Sequence, residues 1–542
     1  MRYLSENKRE DMRMKKRTAA RSMAALMGAA MVLTACGGGN TTAPTTGASS
    51  GGETQTASES TESGKITKTD IVVGQASDIV TLDPAGQQDT TSGVLMKHAY
   101  STLLDVDNEG KVVPDLAESY EMKSDTEYVF KLREDACFWD GTPVTAQDVK
   151  FSLDRAKGMP KTKSNTSKIE EVTVNGDHEV TIKLTEPYAA FKTIVTQHNL
   201  SILSEKAVTE AGDSYGDVDN LLGSGPFKVT EWVPNDHYTL VRNDNYWGEM
   251  PIATSITCRV IPEGSARTIA LEAGEIDVVW SVDPTDCANV ESNPDVKLLS
   301  QPSTGIDYVG MNTQKEKFSD KRVRQAINYA LDKQAFVDTI IEGRGLVANS
   351  YINAAIPGWT DEVEAYPYDP EKAKELLAEA GYPDGFECSI FVNGDLRTRS
   401  AQILQAQLAD VGIKVDISTY EWGALLDTLN AGEHEMFLLG WSNTSFDPDG
   451  STYQLFYSGN HGATGNRAFF SNDKVDELIL SAQRESEESK RMELYKELQF
   501  VLHEESPWCP LYYKENNVGV RADLKGFTLH AGAQHYLGNC HY

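Results

Sequence analysis

The spacing of apolar residues changes along the chain, and the change predicts two kinds of structure. Residues 70–74 form a short apolar run that predicts a buried strand. Between residues 128 and 184 apolar and polar positions alternate, which predicts strands, and residues 175–177 predict the turn of a hairpin. From Lys321 onward apolar residues recur at helical spacing. The N-terminal third is therefore expected to be β-rich, unlike the later part.

Strands and helices alternate in the second half of the chain. Asp369 and Pro370 predict the N-cap and the first residue of a helix. The pattern then predicts a strand, a helix over 399–411, a strand, a helix over 422–430 and a buried strand over 436–441. Such alternation is typical of an α/β domain with a largely parallel sheet. We therefore expect at least two unlike lobes.

The N-terminus has the features of an export signal. A basic cluster over residues 13–21 precedes an apolar segment, 23–34, that is too short to span a bilayer, because a spanning helix needs about 20 apolar residues. This order is typical of a secretory signal peptide over residues 1–35. Cys36 directly follows Leu-Thr-Ala, which resembles a bacterial lipobox and implies that its thiol carries a lipid. The alternative is an ordinary signal peptide with a cysteine nearby.

Residues 36–66 have almost no apolar content after the cysteine, which predicts a flexible linker. No later segment resembles a membrane span, so we expect attachment to the bacterial cell membrane through the lipid anchor alone. The protein would then be extracytoplasmic and tethered.

Composition narrows the classes of function. The 542 residues contain 50 Lys and Arg against 81 Asp and Glu, a formal net charge of −31. A nucleic-acid-binding surface needs clustered basic residues, so we expect no nucleic-acid partner. Strong negative charge favours a soluble monomer. The length exceeds what one hydrophobic core supports and predicts two or three domains.

Six cysteines remain besides Cys36, and the sequence leaves their pairing open. They are scattered and form no C-x-x-C motif, and a large core does not need disulfides, so we favour mostly free, buried thiols. The six are Cys137, Cys258, Cys287, Cys388, Cys509 and Cys540.

Several separated motifs resemble one protein family. They are LDP at 82–84, VPDLAES at 113–119, FWDGTPVTAQDV at 138–149, GSGPF at 223–227, NDNYW at 243–247 and VRQA at 323–326. Together they resemble the oligopeptide-, dipeptide- and nickel-binding family of ABC-transporter solute-binding proteins. TYEWG at 419–423, and GW at 440–441 followed by DPD at 447–449, are most similar to the dipeptide-binding members.

The resemblance implies an α/β fold of the class II (cluster C) periplasmic-binding-protein-like type. In this fold two lobes are joined by a hinge, and a β-rich subdomain is inserted in the first lobe. By resemblance, lobe I would cover 67–103, 213–307 and 515–542, the insert 104–212, and lobe II 308–514.

Asp447 is the first candidate ligand-binding residue. Residues 441–450 follow a buried strand and so lie where open α/β sheets bind ligands. A carboxylate pairs well with an α-ammonium group, and the resemblance implies that Asp447 holds the N-terminus of a peptide. Asp449 is a substitute for this role. The alternative is that Asp-Pro-Asp-Gly is only a turn.

Arg399 is the candidate partner for the peptide carboxylate, because the start of its predicted helix favours an anion. Arg397 is its rival, and a solvated arginine is the alternative to both. On lobe I the polar run 87–92 precedes a helix and could present hydroxyls and amides or serve as an N-cap. The other candidate contacts are Thr91, Ser92, Tyr308, Asn312, Tyr420, Trp422 and Trp441.

No motif favours catalysis or a cofactor. The sequence lacks H-E-x-x-H, a P-loop and a nucleophile elbow between a strand and a helix. His530, His535, Cys540 and His541 are too loosely spaced to be more than a weak metal candidate, so we expect no metal. Without a P-loop, the energy for transport has to come from a separate ATPase.

With the resemblance, these features predict a membrane-tethered receptor that captures dipeptides or short peptides between two lobes. It would deliver them to the permease and ATPase subunits of an ABC importer. The alternatives are the same fold binding a nickel chelate, haem, an oligosaccharide or a longer peptide. An exported peptidase or glycosidase is a further alternative, which would need paired catalytic groups.

Overall fold

The computed structural model describes residues 66–542. The predicted signal peptide, Cys36 and the linker up to residue 65 lie outside the described residues. The strands are β1 (Asp70–Gln75), β2 (Leu104–Val106), β3 (Val112–Pro114), β4 (Ala117–Ser124), β5 (Glu127–Leu132), β6 (Ile169–Gly176), β7 (Glu179–Leu184), β8 (Phe227–Val233), β9 (His237–Arg242), β10 (Ser255–Val260), β11 (Val278–Val279), β12 (Val296–Met311), β13 (Gly345–Val347), β14 (Glu387–Val392), β15 (Lys414–Thr419), β16 (Met436–Ser442) and β17 (Trp508–Arg521).

The α-helices lie between these strands. They are α1 (Thr90–Ala99), α2 (Ala146–Lys157), α3 (Lys163–Thr166), α4 (Phe191–Ile194), α5 (Glu205–Ala211), α6 (Gly264–Glu272), α7 (Cys287–Ser292), α8 (Glu316–Ser319), α9 (Lys321–Ala330), α10 (Lys333–Thr339), α11 (Pro370–Glu379), α12 (Gly394–Ala409), α13 (Trp422–Asn430), α14 (Asp449–Phe456), α15 (Asp473–Arg484) and α16 (Glu488–Glu505). In this part of the chain no helix is both long and apolar enough to cross a membrane.

One 11-stranded sheet runs through two lobes. Its order is β15-β14-β16-β12-β17-β11-β1-β10-β9-β8, and β13 pairs with β17 beside this path. In this order β1 and β8–β11 lie on one side of the pair β12–β17, and β14–β16 lie on the other side. The two sides correspond to the expected lobes I and II, whose bounds stay a prediction. The two lobes of the predicted fold are therefore present, and β12 and β17 connect them.

The hinge lies where the pairing of β12 and β17 is interrupted. The register runs from Val296↔Arg521 to Pro302↔Glu515 and resumes at Ile306↔Tyr513. Such a bulge bends a strand and marks where a sheet changes direction. Ser303 fixes the bulge, because its hydroxyl donates to the Lys514 carbonyl at 2.7 Å.

Lobe II follows the predicted alternation with one difference. Strands β14, β15 and β16 pair in parallel, as the connecting helices require. Strand β12, however, runs antiparallel to both β16 and β17. The expectation of a largely parallel sheet therefore holds only for β14, β15 and β16. The hinge strand β12 runs in the opposite direction to them.

Local signals predicted several element ends correctly. Helix α11 begins at Pro370, and the Asp369 side chain accepts from the Lys372 N–H at 2.9 Å. Helix α13 has the predicted bounds. Helix α12 begins at Gly394 instead of 399, so Arg399 lies in its second turn and not at its N-terminus.

A separate antiparallel sheet, β4-β5-β7-β6, forms within residues 104–212. The predicted hairpin is β6–β7, with its turn at 177–178. Alternate residues of β5 and β7 are buried, as a sheet with one covered face requires. This sheet packs on α2 around its own hydrophobic core, with Phe130 and Phe191 among its buried residues. The insert therefore has a core separate from those of the lobes.

Candidate ligand-binding site

A cavity of about 390 Å³ lies between the lobes. Segment 87–91 at the start of α1 forms one wall, and α12, the start of α13 and the end of β16 contribute to the opposite wall. The insert and the hinge strand β17 also contribute residues. A cleft between lobes is a preferred place for small-ligand sites, so this cavity is the candidate site.

Lobe I contributes acceptor groups. Asp89 caps α1, because its Oδ1 accepts from the Ser92 N–H at 2.9 Å. Its other oxygen, Oδ2, is buried, and Trp422 across the cleft interacts with the Asp89 carboxylate and lowers its pKa. Burial raises the pKa of Asp89. Gln88 Nε2 donates across the cleft to Gln454 Oε1 at 3.3 Å and to the Thr464 carbonyl at 3.4 Å, while Gln88 Oε1 is buried without a partner in residues 66–542.

Gln534 adds an acceptor from the C-terminal segment of lobe I. Its side chain lies against Gly93 of α1, where a Cβ would come within 3.2 Å of the amide. Gln534 is 4% exposed, and its Oε1 has no partner within the described part of the chain. A glycine at position 93 therefore leaves room for this amide beside the cavity.

Lobe II contributes cations and aromatic rings. The Arg397 guanidinium lies 6.0 Å from the centre of the Trp422 ring. Trp422 Nε1 is buried, and Trp422 interacts with the Asp89 carboxylate of lobe I. Trp441 Nε1, in contrast, donates to the Gly450 carbonyl at 3.1 Å, which fixes the orientation of its ring.

Arg467 is a buried cation of the same wall. It is 6% exposed, and its Nε donates to Asn430 Oδ1 at 3.0 Å. Within residues 66–542 no carboxylate forms an ion pair with it, since the ion pairs there involve other residues. Burial lowers the pKa of Arg467. A ligand carboxylate would supply the missing partner.

Asp307 lies at the hinge between two cations. Lys514 Nζ is 2.8 Å from its Oδ2, and Arg397 Nε is 3.6 Å from its Oδ1. The Asp307 side chain is 1% exposed, so its charge needs these partners. The positive charges of Lys514 and Arg397 are therefore balanced by the single negative charge of Asp307. This leaves Arg397 able to bind a second anion.

Contacts between the lobes enclose the cavity. Arg399 of α12 donates to both carboxylate oxygens of Asp283 in lobe I, at 2.6 and 2.9 Å. Thr444 Oγ1 of lobe II donates to Gln197 Oε1 of the insert at 2.9 Å. The structure is therefore a closed arrangement of the two lobes.

Three predicted contact residues line the cavity, namely Thr91, Trp422 and Trp441. Arg397, the predicted rival of Arg399, also lines it. Their contact with a ligand remains a prediction.

Asp447 and Asp449 lie away from the cavity. The Asp447 carboxylate accepts from Arg491 Nη1 at 2.9 Å and from Nη2 at 2.5 Å. Asp449 accepts from the Tyr188 hydroxyl at 2.5 Å and from Gln483 Nε2 at 2.9 Å. Both carboxylates are buried and already have partners, and neither residue lines the cavity. These contacts do not support the expected role of either one in holding a peptide ammonium, which stays a prediction.

Arg399 likewise differs from its expected role. It pairs with Asp283 and does not line the cavity, because residues 397 and 399 are two positions apart on a helix and face different directions. Its rival Arg397 lines the cavity. Contact of either arginine with a peptide carboxylate stays a prediction.

The remaining candidates have structural contacts instead of a place in the cavity wall. Ser92 Oγ accepts from the Val80 N–H at 3.0 Å, and Asn312 Nδ2 donates to two carbonyls at 3.2 Å. Tyr420 packs on Phe391. Tyr308 is buried against Trp508.

Sequence reasoning missed Arg467 and Gln534. Arg467 stands in a short loop directly after Gly465 and Asn466, and Gln534 lies between two histidines that were considered as metal ligands. No local pattern singles out either residue. They become neighbours of the polar run 87–92 only through the fold.

The described residues contain no group of three or more His, Cys, Asp or Glu side chains arranged to hold a metal ion. In the C-terminal segment, His530 Nδ1 accepts the Gly532 N–H at 3.1 Å and His535 Nδ1 accepts the His530 N–H at 3.1 Å. Burial lowers the pKa of His530 to about 4 and that of His535 to about 3. These histidines are neutral and stabilise the backbone.

The six cysteines in residues 66–542 are all free thiols, as favoured from their spacing. Five of them are buried, and Cys137 is partly exposed.

Comparison with known proteins gives consistent matches over most of the chain. The sequence model described as "Bacterial extracellular solute-binding proteins, family 5 Middle" matches residues 111–463. The glutathione-binding protein GsiB of Escherichia coli (strain K12) is 32% identical over 479 residues, which is 85% of this chain and 92% of that protein.

Two solved structures are similar in fold and sequence. The ABC transporter-associated periplasmic binding protein DppA from Helicobacter pylori, in complex with the peptide STSA, has a TM-score of 0.83 and 29% identity, and the match covers 88% of this chain and 99% of that one. The oligopeptide-binding protein AppA from Bacillus subtilis, in complex with a nonapeptide, has a TM-score of 0.81 and 26% identity, with the same coverage.

Proposed function

The chain belongs to family 5 of the bacterial extracellular solute-binding proteins of ABC transporters, and from this premise we propose that it captures short peptides, including glutathione-like peptides, for import. The three relatives described above bind glutathione, a tetrapeptide and a nonapeptide. Peptide ligands thus recur among proteins that match almost the whole chain.

The closed cavity between the lobes is the observation that carries the proposal. Its volume of about 390 Å³ lies near the lower end of the range of roughly 300–1,000 Å³ found for small-ligand sites. This size favours a ligand of a few residues over a long peptide. Its walls combine aromatic rings with polar atoms, such as Gln88 Oε1, that have no hydrogen-bond partner in residues 66–542, as a site for a polar organic molecule requires.

Capture follows from the hinge in β12 and β17. A ligand that enters an open cleft contacts one lobe first, and closure adds the contacts of the other lobe. The population of the closed state then rises, and the size of the rise is set by how much more tightly the ligand binds the closed state than the open state. The Arg399–Asp283 pair forms only between the lobes and supports closure.

We further propose that Cys36 carries a lipid and tethers the protein to the outside of the bacterial membrane, where it serves a permease and ATPase as a monomer. This part of the proposal rests on the sequence of residues 1–36 alone. We also expect binding without catalysis, so peptides incubated with the protein should remain intact for hours. Turnover that a single Asp or Glu substitution abolishes would contradict this.

The experiment is native mass spectrometry of the purified protein with mixed libraries of free dipeptides and free tripeptides and with glutathione, followed by calorimetry of the species retained. We expect one or more of these to bind, with saturation at one molecule per chain. The variant Thr91→Trp, which places a bulky ring in the cavity wall, should lose binding, whereas Thr209→Trp on the exposed side of α5 should retain it. Failure of all three probes to bind the wild-type protein would refute the proposed ligand class.

A further inference from the structure

The insert forms an interface with lobe II beside the cavity. The Tyr188 hydroxyl of the insert donates to Asp449 Oδ2 at 2.5 Å. The next residue, Ala189, donates its N–H to the Gln483 carbonyl at 2.8 Å. Two further contacts are Gln454 Nε2 to Asn165 Oδ1 at 2.5 Å and the Ser167 and Tyr453 hydroxyls at 3.0 Å from each other. Together these contacts hold the insert against α14 and α15.

The insert is attached to lobe I, so it should move with that lobe. Both of its ends continue into the lobe I ranges given above. Its Ile202 N–H donates to the Ser101 carbonyl at 2.9 Å, and its Arg155 donates to both carboxylate oxygens of Asp83, at 2.6 and 3.0 Å. Opening of the cleft about the hinge in β12 and β17 therefore has to separate the insert from lobe II.

This interface is more deeply buried than the ion pair at the other end of the cleft. Tyr188, Asp449 and Gln483 are buried. The Arg399–Asp283 pair is partly exposed. An exposed pair contributes little because water and salt screen it, whereas an interface that excludes water also gains from its buried apolar surface. The insert is therefore in a position to contribute more to closure than the ion pair does.

One apolar contact of the interface depends on the closed arrangement. Phe446 precedes α14, and its ring covers Gly110 in the turn between β2 and β3. A Cβ atom at position 110 would lie 2.7 Å from both Cγ and Cδ1 of that ring, well inside the optimal separation of about 3.5–4.0 Å between carbon atoms. On another side the ring meets the ring of His530, with their centres 5.6 Å apart. Position 110 therefore has no room for a side chain while the Phe446 ring is in place.

The backbone of Phe446 is held in a conformation that bulky residues rarely adopt. Its φ is 55°, in the left-handed region. Asn443 braces the loop, because its Nδ2 donates to the Asp447 carbonyl at 2.7 Å and its Oδ1 accepts from the Ser445 N–H at 3.1 Å. Such a conformation persists only where the surrounding structure holds it, and it is often found where a residue has a function.

We propose that the insert is a clamp, which moves with lobe I and holds the cleft closed through the contact of Phe446 with Gly110 and of Tyr188 with Asp449. The proposal assigns a function to residues 104–212. It rests on the proposed capture by closure of the lobes, but not on a peptide as the ligand.

The test compares Gly110→Ala with Gly141→Ala, a matched control in the same insert. Gly110 and Gly141 have φ angles of 82° and 84°, so alanine introduces similar backbone strain at both. No atom lies within 4 Å of a Cβ added at Gly141. Only Gly110→Ala overlaps with Phe446, so only this variant should disfavour closure.

Hydrogen exchange at the Ala189 amide, measured by NMR without added ligand, reports separation of the interface because this amide donates to a carbonyl of lobe II. In the wild type it should be protected. Gly110→Ala should speed its exchange by at least about 10-fold, within the range expected for an overpacked contact, and Gly141→Ala should not. An Ala189 amide that exchanges in the wild type as fast as in an unfolded chain would overturn the proposal.

Two further variants separate the clamp from a folding defect. Phe446→Ala should also speed exchange at Ala189, and Gly110→Ala should add nothing in that background, because the overlapping ring is gone. Tyr188→Phe removes only the hydroxyl that reaches Asp449 and should have an effect in the same direction. Exchange at the Ile202 amide, which donates within the insert–lobe I attachment, should not change in any of these variants.

Equal exchange at Ala189 in the Gly110→Ala and Gly141→Ala proteins would overturn the proposal, as would an undiminished effect of Gly110→Ala in the Phe446→Ala background. Calorimetry with an equimolar library of free tripeptides separates the clamp from the proposed function. If the wild type binds the library, Gly110→Ala should bind it at least about 10-fold more weakly than Gly141→Ala does, and equal affinities would overturn the clamp. If the wild type binds neither this library nor dipeptides nor glutathione, the proposed ligand class fails, and exchange at Ala189 still decides whether the insert is a clamp.

Discussion

Replacement of Asp447 by Asn should destabilise lobe II without changing peptide affinity. The carboxylate holds Arg491 through two hydrogen bonds, at 2.9 and 2.5 Å. The side chains of Asp447 and Arg491 are 11% and 9% exposed, so water can do little to replace the lost ion pair. Asn keeps one oxygen, which can still accept from the Asp449 N–H now 2.9 Å away.

The expected loss follows from this geometry. Removal of one partner of a buried ion pair costs about 3–5 kcal/mol, because the other charge remains buried. Since the Asn oxygen retains part of the contacts, we expect a loss of stability at the lower end of this range, about 3 kcal/mol. Affinity for free tripeptides should change less than about threefold, or under 1 kcal/mol, because Asp447 does not line the cavity.

The assay is urea unfolding followed by tryptophan fluorescence, combined with calorimetric titration of the folded protein. Asp447→Asn, Arg491→Gln and the double variant form a cycle. If the two side chains act as a pair, the double variant should be less destabilised than the sum of the single variants. Asp410→Asn, an exposed carboxylate, is the control and should unfold like the wild type. A variant with wild-type unfolding and greatly reduced peptide affinity would show that Asp447 contacts the ligand, and the present reasoning would be refuted.

Three further predictions concern other parts of the molecule. Burial, followed by the charge of Asp447, raises the pKa of Asp449 to about 6, so the folded state binds a proton more tightly than the unfolded state. Stability should therefore fall by about 2–3 kcal/mol as the pH rises from about 4 to 6, and Asp449→Asn should flatten this part of a pH series of urea unfolding curves. Arg399→Gln removes a partly exposed ion pair between the lobes, worth about 1 kcal/mol at most, so it should weaken peptide binding by up to about fivefold in calorimetry. An effect that persists in high salt would contradict this assignment. Cys36→Ala should move the protein from the membrane fraction to the soluble fraction, and a variant that stays with the membrane would exclude the lipid anchor.

The elements that sequence reasoning predicted best are those encoded within a few residues. Asp369 and Pro370 together specify the start of α11, and the apolar spacing after Glu421 specifies α13 with its bounds. Both depend on hydrogen bonds and packing inside one element. Their prediction requires no knowledge of the rest of the chain.

Helix α12 shows how a small local error changes a functional assignment. A start at 399 would place Arg399 at the helix N-terminus, where an anion is favoured. The helix begins instead at Gly394, whose φ of 75° is readily adopted by glycine. The helix therefore carries Arg397 and Arg399 on different sides, toward the cavity and toward Asp283 respectively.

The role of Asp447 could not be read from its neighbourhood, because its partner is 44 positions away. Locally, the residue follows a buried strand and has the sequence context of a ligand anchor. Its carboxylate nevertheless turns toward Arg491 of α16, which no motif connects to it. Long-range partners of charged residues decide between a structural and a binding role, and they depend on tertiary packing.

The same argument explains why the polarity of the cavity was not predicted. Asp89 has the sequence context of a helix cap, and it does cap α1. Only the fold shows that the Asp89 carboxylate interacts with Trp422 across the cleft, and that its charge acts on Arg467, far along the chain. A lone residue of either kind would be a cost to stability. Both side chains line the same cavity between the lobes, so their charges act together on whatever is bound there. This juxtaposition depends on the closed arrangement of the lobes and is encoded in neither local sequence.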